Sequence, residues 1–325
     1  MRMRIATLLA VVVAAGQPAP VQPWPDQPTP DIDFRHLYTF GSKLGIHPPK
    51  LINSKGARAA LGDGEHPFGL AFPVAVTTDL HHRVWIADNG TASVHVFDTG
   101  DGSYREIRKV GDVTLRQPSG IASDSQGRIY LTDAAWGCVF VFDEKGEYDH
   151  TLGRRERVME SPAAIAVAED RKTVYVADPP RNAIVELNRE GEVNSVIQLP
   201  PELQEPTALQ VIHNQLYVLG GRQHRVGIFS PGGTARGELR WDGVGLPTAF
   251  AWDSAHSHFL VVNPRWMIVQ VFEEKGLNLG AFGQQGDAVD QMQRVDALHV
   301  DARGQVYVVD SRHGKVLVFG EPGPH

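Results

Sequence analysis

Fourteen histidines raise metal chemistry first, because a catalytic zinc needs about three nitrogen or oxygen ligands around one open position. The motifs of hydrolytic and phosphoryl chemistry are missing: the chain has no Gly-rich phosphate loop, no Gly-x-Ser-x-Gly elbow and no His-Glu-x-x-His pair. The single cysteine, Cys138, rules out an internal disulfide and any multi-cysteine metal site, and is expected to be a buried, inert thiol. A second set of chemistry-bearing residues recurs along the chain: Trp136, Arg181, Arg222 with His224 and Arg225, Arg265 with Trp266, and Arg312 with His313. A planar guanidinium suits carboxylate or phosphate, and indole offers a flat apolar surface to sugars, peptides or rings.

The spacing of that second set follows an internal repeat of about forty-four residues. Pro118-Ser-Gly-Ile-Ala-Ser-Asp-Ser-Gln-Gly127-Arg-Ile-Tyr-Leu-Thr-Asp133 is followed by Val139-Phe-Val-Phe-Asp143. The same frame appears at Pro73 to Asp88 with Val94-His-Val-Phe-Asp98, and again from Pro162, Pro206, Pro247 and Val295. Within each copy apolar residues alternate over short runs bounded by turn residues, which predicts four antiparallel strands, A to D, and no helix. Strand D of the first copy is expected over Tyr104 to Gly111. The acid closing strand B, at Asp88, Asp133, Asp178 and Asp310, is expected to accept backbone hydrogens in the adjoining loop rather than to catalyse.

Strand A carries a small residue at Ala75, Gly120, Ala164, Ala208, Ala249 and Ala297, each followed by a large one at Val76, Ile121, Ile165, Leu209, Phe250 and Leu298. Innermost strands need that contrast where wedge-shaped sheets converge on an axis. The sixth copy stops after strand C, at Lys315-Val-Leu-Val-Phe-Gly320, which would leave a bare sheet edge. Phe34 to Ser42 resembles the strand D segment Asn278 to Gln284. The expected fold is therefore all-β: a six-bladed β-propeller of four-stranded antiparallel blades, closed by an N-terminal strand that completes the last blade.

The pattern of Pro, apolar strand, Asp-x-x-Gly turn, Tyr-Val-Ala-Asp and Val-Phe-Asp resembles the NHL-repeat family, from Phe34 to Gly320, and the resemblance implies six blades. It also implies that ligands meet the end of the ring bearing the D-to-A links and B-to-C loops, at the channel mouth. The candidate ligand-binding residues there are Trp136, Arg181, Arg222, His224, Arg265, Trp266, Arg312 and His313. Amidating lyases of related build hold zinc with histidines just after the strand A proline. This chain has Val74, Ser119, Ala163, Thr207, Thr248 and Asp296 at those places, and one acid among six cannot build that site. His66, His224 and His313 form a weak alternative metal set. His81, His82, His213, His256 and His258 are expected in turns of the opposite end, and His36, His95, His150 and His299 within or beside strands.

Residues 1–16 read as a signal peptide, with Arg2 and Arg4 before the apolar run Ile5 to Ala15 and small residues ahead of a cleavage point. That run is too short to span a membrane. Residues 17–33 form a Pro-rich linker, 34–325 the propeller, and the long link around 46–66 either covers the mouth or packs on the closing blade. The net charge of −7 and the absence of a Lys/Arg run argue against nucleic acid. The expectation is an extracytoplasmic binding or scaffolding propeller for a peptide, glycan or protein partner. No cofactor is predicted, although a divalent metal stays open. The alternative is a metal-dependent lyase or hydrolase, amidating-lyase-like or lactonase-like.

Overall fold

The computed structural model describes residues 34–40, 69–154 and 158–320. The signal peptide, the linker and the link around 46–66, with His66, lie outside the described residues.

Six four-stranded antiparallel sheets account for nearly all of the regular structure. In blade two, strands A to D are Pro118–Ser123, Ile129–Asp133, Cys138–Phe142 and Tyr148–Leu152, hydrogen-bonded in that order. The alternation seen in the sequence has a clear cause here. Successive side chains point to opposite sheet faces, and both faces are buried, because six separate apolar clusters each join one blade to the next. The large strand A residue of each blade packs into the cluster shared with the preceding blade, as Ile121 does with Trp85 and Phe140. The small residue turns toward the following blade, as Ala164 does beside Leu209. Gly120 marks the tightest approach: a Cβ there would stand 2.6 Å from the Ala163 carbonyl oxygen of blade three.

The ring closes as expected. Arg35–Phe40 pairs antiparallel with Lys315–Gly320, from Arg35 opposite Gly320 to Phe40 opposite Val316, and so supplies strand D of blade six. This strand also grips both neighbouring blades. Phe34 lies 4.8 Å from Phe282 of blade five between ring centroids, and Phe40 lies 4.7 Å from Phe97 of blade one. Lys315, buried, fixes the link between blades five and six by donating from Nζ to the carbonyls of Ala288, Val289 and Gln291. Burial lowers the pKa of this ammonium.

Two expectations, the length of strand D in blade one and the place of His258, need correction. Strand D of blade one spans only Tyr104–Ile107; a small hairpin, Lys109–Val110 with Val113–Thr114, follows it. The hairpin's Val110, Val113 and Leu115 are buried between blades one and two, so packing there outweighed continuation of the ladder. Short 3₁₀ turns occur at Pro179–Arg181 and Pro201–Leu203, where proline presets the first turn. His258 begins a strand, His258–Asn263, rather than lying in a turn. No helix among the described residues is long and apolar enough to cross a membrane.

Candidate functional site

The face bearing the D-to-A links and B-to-C loops is assembled by one repeated device. Asp88, Asp133, Asp178 and Asp310 are fully buried, and each accepts backbone N–H groups from the link that precedes strand A of its own blade. Asp133 is the fullest case. It accepts from Arg116 and Gln117 of the link (2.8 and 3.1 Å) and from Ala135 and Trp136 of the B-to-C loop (3.1 Å each). The sequence reading placed these bonds in the adjoining loop; the structure adds the link, so one carboxylate ties two loops together. Asn263 keeps part of the device in blade five, accepting from Arg265 N–H at 3.2 Å and donating to the Gly243 carbonyl at 3.0 Å. In blade four Gly220 replaces the acid, and a Cβ there would stand 2.6 Å from Leu203 Cα.

The six A strands enclose a channel of about 250 Å³. At its mouth the positions after the strand A proline hold no imidazole cluster. The Ser119 hydroxyl donates to the Pro162 carbonyl at 2.6 Å, and the Thr248 hydroxyl to the Val295 carbonyl at 2.9 Å. Asp296 accepts from Arg294 Nε at 3.0 Å and from the Ser311 hydroxyl. Deeper in the channel His299 Nε2 accepts the Thr78 backbone N–H at 3.2 Å, which requires the neutral ring. Burial depresses its pKa to about 4. Among the described residues no group of three or more His, Cys, Asp or Glu is arranged to hold a metal ion.

Trp136, Arg181, Arg222, His224, Arg265, Trp266, Arg312 and His313 lie between strands B and C of their blades, but no hydrogen bond, ion pair or ring contact among the described residues joins two of them from different blades. His224 Nδ1 donates to the Pro247 carbonyl at 3.0 Å. His313 faces two carboxylates, Asp310 at 2.8 Å through Nδ1 and Asp287 at 3.1 Å through Nε2. Arg181 bonds the Val158 carbonyl and lies 3.6 Å from Asp178. Arg222 donates to Gln204 at 2.9 Å, and Arg225, at the start of a strand, pairs with Glu238 at 3.3 Å. Arg265 lies over the adjacent Trp266 ring at 5.2 Å. Arg312 is exposed and has no side-chain partner among the described residues.

Sequence reasoning missed the arginines that reach these loops from the links. Arg116 and Arg154 lie over the Trp136 ring, with Cζ 4.2 and 5.3 Å from its centroid. Arg294 lies 5.8 Å from the Phe72 ring, which is 38% exposed. The available signal was topological: link and B-to-C loop share one end of the ring, so a basic link residue near a loop aromatic was a candidate.

At the same end of the ring, the start of strand C in blade one contains a constellation that imitates a catalytic one. Ser93 Oγ and His95 Nε2 are 3.2 Å apart, His95 Nδ1 is 2.9 Å from the Tyr104 hydroxyl, and Ser93 donates to Glu106 at 2.8 Å. Ser93 is fully buried and His95 nearly so, so no substrate reaches the hydroxyl, and its proton is committed to the carboxylate. Burial lowers the His95 pKa. Cys138 is likewise buried, and its thiol is pushed up to about 12, chiefly by burial and further by Asp133, which makes it a packing residue.

A family model for the NHL repeat matches residues 115–142, which covers strands A to C of blade two. No curated protein sequence matches the chain. Among solved structures, a streptogramin B lyase is 14% identical over 79% of this chain and 80% of that chain, with a TM-score of 0.57. Hydrazine synthase of Kuenenia stuttgartiensis is 17% identical over 77% of this chain and 76% of that chain, at 0.58. A chain of a nidogen/laminin complex is 16% identical over 70% and 85%, at 0.56. Identities this low carry likeness of fold alone, and these neighbours span very different activities. The chain is therefore a six-bladed β-propeller that carries an NHL repeat in its second blade.

Proposed function

We propose that this protein is an exported, non-catalytic binding or scaffolding propeller whose channel-mouth face recognises a peptide, glycan or protein partner bearing negative charge. One observation carries the reading. The B-to-C loops hold Arg181, Arg222, Arg265 and Arg312 and no Asp or Glu, on a chain of net charge −7. Arginine-bearing loops on an acidic protein draw an acidic ligand to one end of the ring, and aromatic rings beside the guanidinium groups add flat apolar area. Export follows from the composition of residues 1–16.

The test is capture by the immobilised full chain of a panel of acidic, neutral and basic peptides, and of uronate-bearing and neutral glycans. Acidic members should be retained, and the variant Arg222→Gln/Arg265→Gln/Arg312→Gln should lose at least about tenfold in affinity at an unchanged melting temperature. Retention of the same members by that variant would overturn the reading. Metal analysis of the unchelated protein is the companion measurement. A stoichiometric ion that resists dialysis would replace a binding propeller with a metal-dependent lyase or hydrolase.

A further inference from the structure

Four of the arginines at the mouth face are already engaged: Arg181 by a carbonyl and Asp178, Arg222 by Gln204, Arg225 by Glu238 and Arg294 by Asp296. Arg265 and Arg312 have no such partner among the described residues, and neither do Arg116 and Arg154, which alone at this face share one ring. Both lie over the ring of Trp136, yet neither guanidinium has a hydrogen bond or ion pair among the described residues. A guanidinium stacked on a ring keeps its N–H donors in its own plane, free for another partner. Two like charges beside one ring also repel each other, and an anion between them removes that repulsion.

The arrangement is held firmly. Asp133 accepts the backbone N–H groups of both Arg116 and Trp136, and Trp136 Nε1 donates to the Thr114 carbonyl at 2.9 Å. That carbonyl belongs to the extra hairpin, whose Val110, Val113 and Leu115 are buried between blades one and two. The ring is thus fixed at its backbone and at its nitrogen, and it presents both guanidinium groups from two separate links.

We propose that Arg116 and Arg154, positioned over Trp136, bind an oxyanion borne by the ligand of this face: a carboxylate, sulfate or phosphate group taken by paired N–H donors. The assignment rests on the channel-mouth face being a binding surface, and it names the group that this surface anchors.

The experiment titrates the full chain with acetate, sulfate and inorganic phosphate at constant ionic strength, with chloride as the blank, following tryptophan fluorescence. Trp136→Phe identifies the part of the signal that comes from this ring. The expected result is a saturable change with at least one oxyanion and none with chloride, weakened about tenfold or more in Arg116→Gln/Arg154→Gln. The three anions separate a carboxylate-bearing ligand from a sulfated or phosphorylated one. Equal titrations in wild type and the glutamine variant, or a response identical for chloride and every oxyanion, would overturn the proposal. Should the glutamine variant melt early, Arg116→Lys/Arg154→Lys keeps both charges without the planar fork. Binding weakened severalfold there supports recognition by guanidinium, and binding equal to wild type refutes it. The outcomes also separate this proposal from the one on which it rests. Failed titrations with intact panel capture remove only this anchor, whereas intact titrations with failed capture remove the recognition reading.

Discussion

At the scale of single residues, the mouth face depends on carboxylates that do no chemistry. Asp133 is fully buried and accepts four backbone N–H groups from two loops. Removing the acceptor leaves those donors short of partners in a dry site, so Asp133→Ala should destabilise the protein by about 3 kcal/mol or more. Asp133→Asn keeps an acceptor for two of the four N–H groups but turns an amide donor toward the other two, so it should cost less than the alanine variant yet more than about 1 kcal/mol. Urea unfolding of the two variants checks the order, and equal costs would refute the acceptor role. The recurrence of these acids was legible from the repeat, and so was their role in turns. Their reach back to the preceding link was not, because it spans 16 to 17 residues at Asp88, Asp133 and Asp310.

Among the elements, strand A bears the strictest steric demand, since six copies of it converge on a channel of about 250 Å³. Gly120 lies in a strand and is not among the glycines of positive φ, so backbone freedom is not its reason. The reason is space: a Cβ would stand 2.6 Å from the Ala163 carbonyl oxygen, 3.0 Å from Thr132 Oγ1 and 3.1 Å from Ala164 Cα. Gly120→Ala must push blades two and three apart, and about 2 kcal/mol of lost stability is expected, in the range of overpacked cores. A urea midpoint equal to wild type would show that the blades yield more easily than this packing implies. The contrast of small and large residues in strand A was readable in the sequence. Which neighbour each side faces, large toward the preceding blade and small toward the following one, emerged only with the clusters in place.

For the whole molecule, ring closure converts local burial into a pH dependence. His299 of blade six accepts the Thr78 N–H of blade one, so a neutral imidazole joins the two blades that the N-terminal strand also joins. Its folded pKa is about 4, against 6.5 for an exposed histidine. Between those values the unfolded chain binds more protons than the folded one, so stability rises with pH across that window and is complete above it. Acidification from pH 6.5 to 4 should therefore cost up to about 3 kcal/mol through this group, an upper bound because part of the ring faces the channel. His299→Gln retains an acceptor without titrating, and its stability should fall less over the same interval. Parallel wild-type and variant profiles in chemical denaturation would exclude His299 as the source.

The six blades, most of the strands within them, the packing contrast of strand A and the borrowed strand at Arg35–Phe40 were legible in the sequence alone. Those features follow from alternation with period two, turn residues and repetition, all of which are local signals repeated often enough to stand out. Tertiary structure alone decided which side chains meet at the mouth. Trp136 lies under Arg116 and Arg154, while Arg181 and Arg222 are held by the links beside them. Such meetings depend on how separate links are brought together around one axis, and no periodicity along the chain encodes that distance.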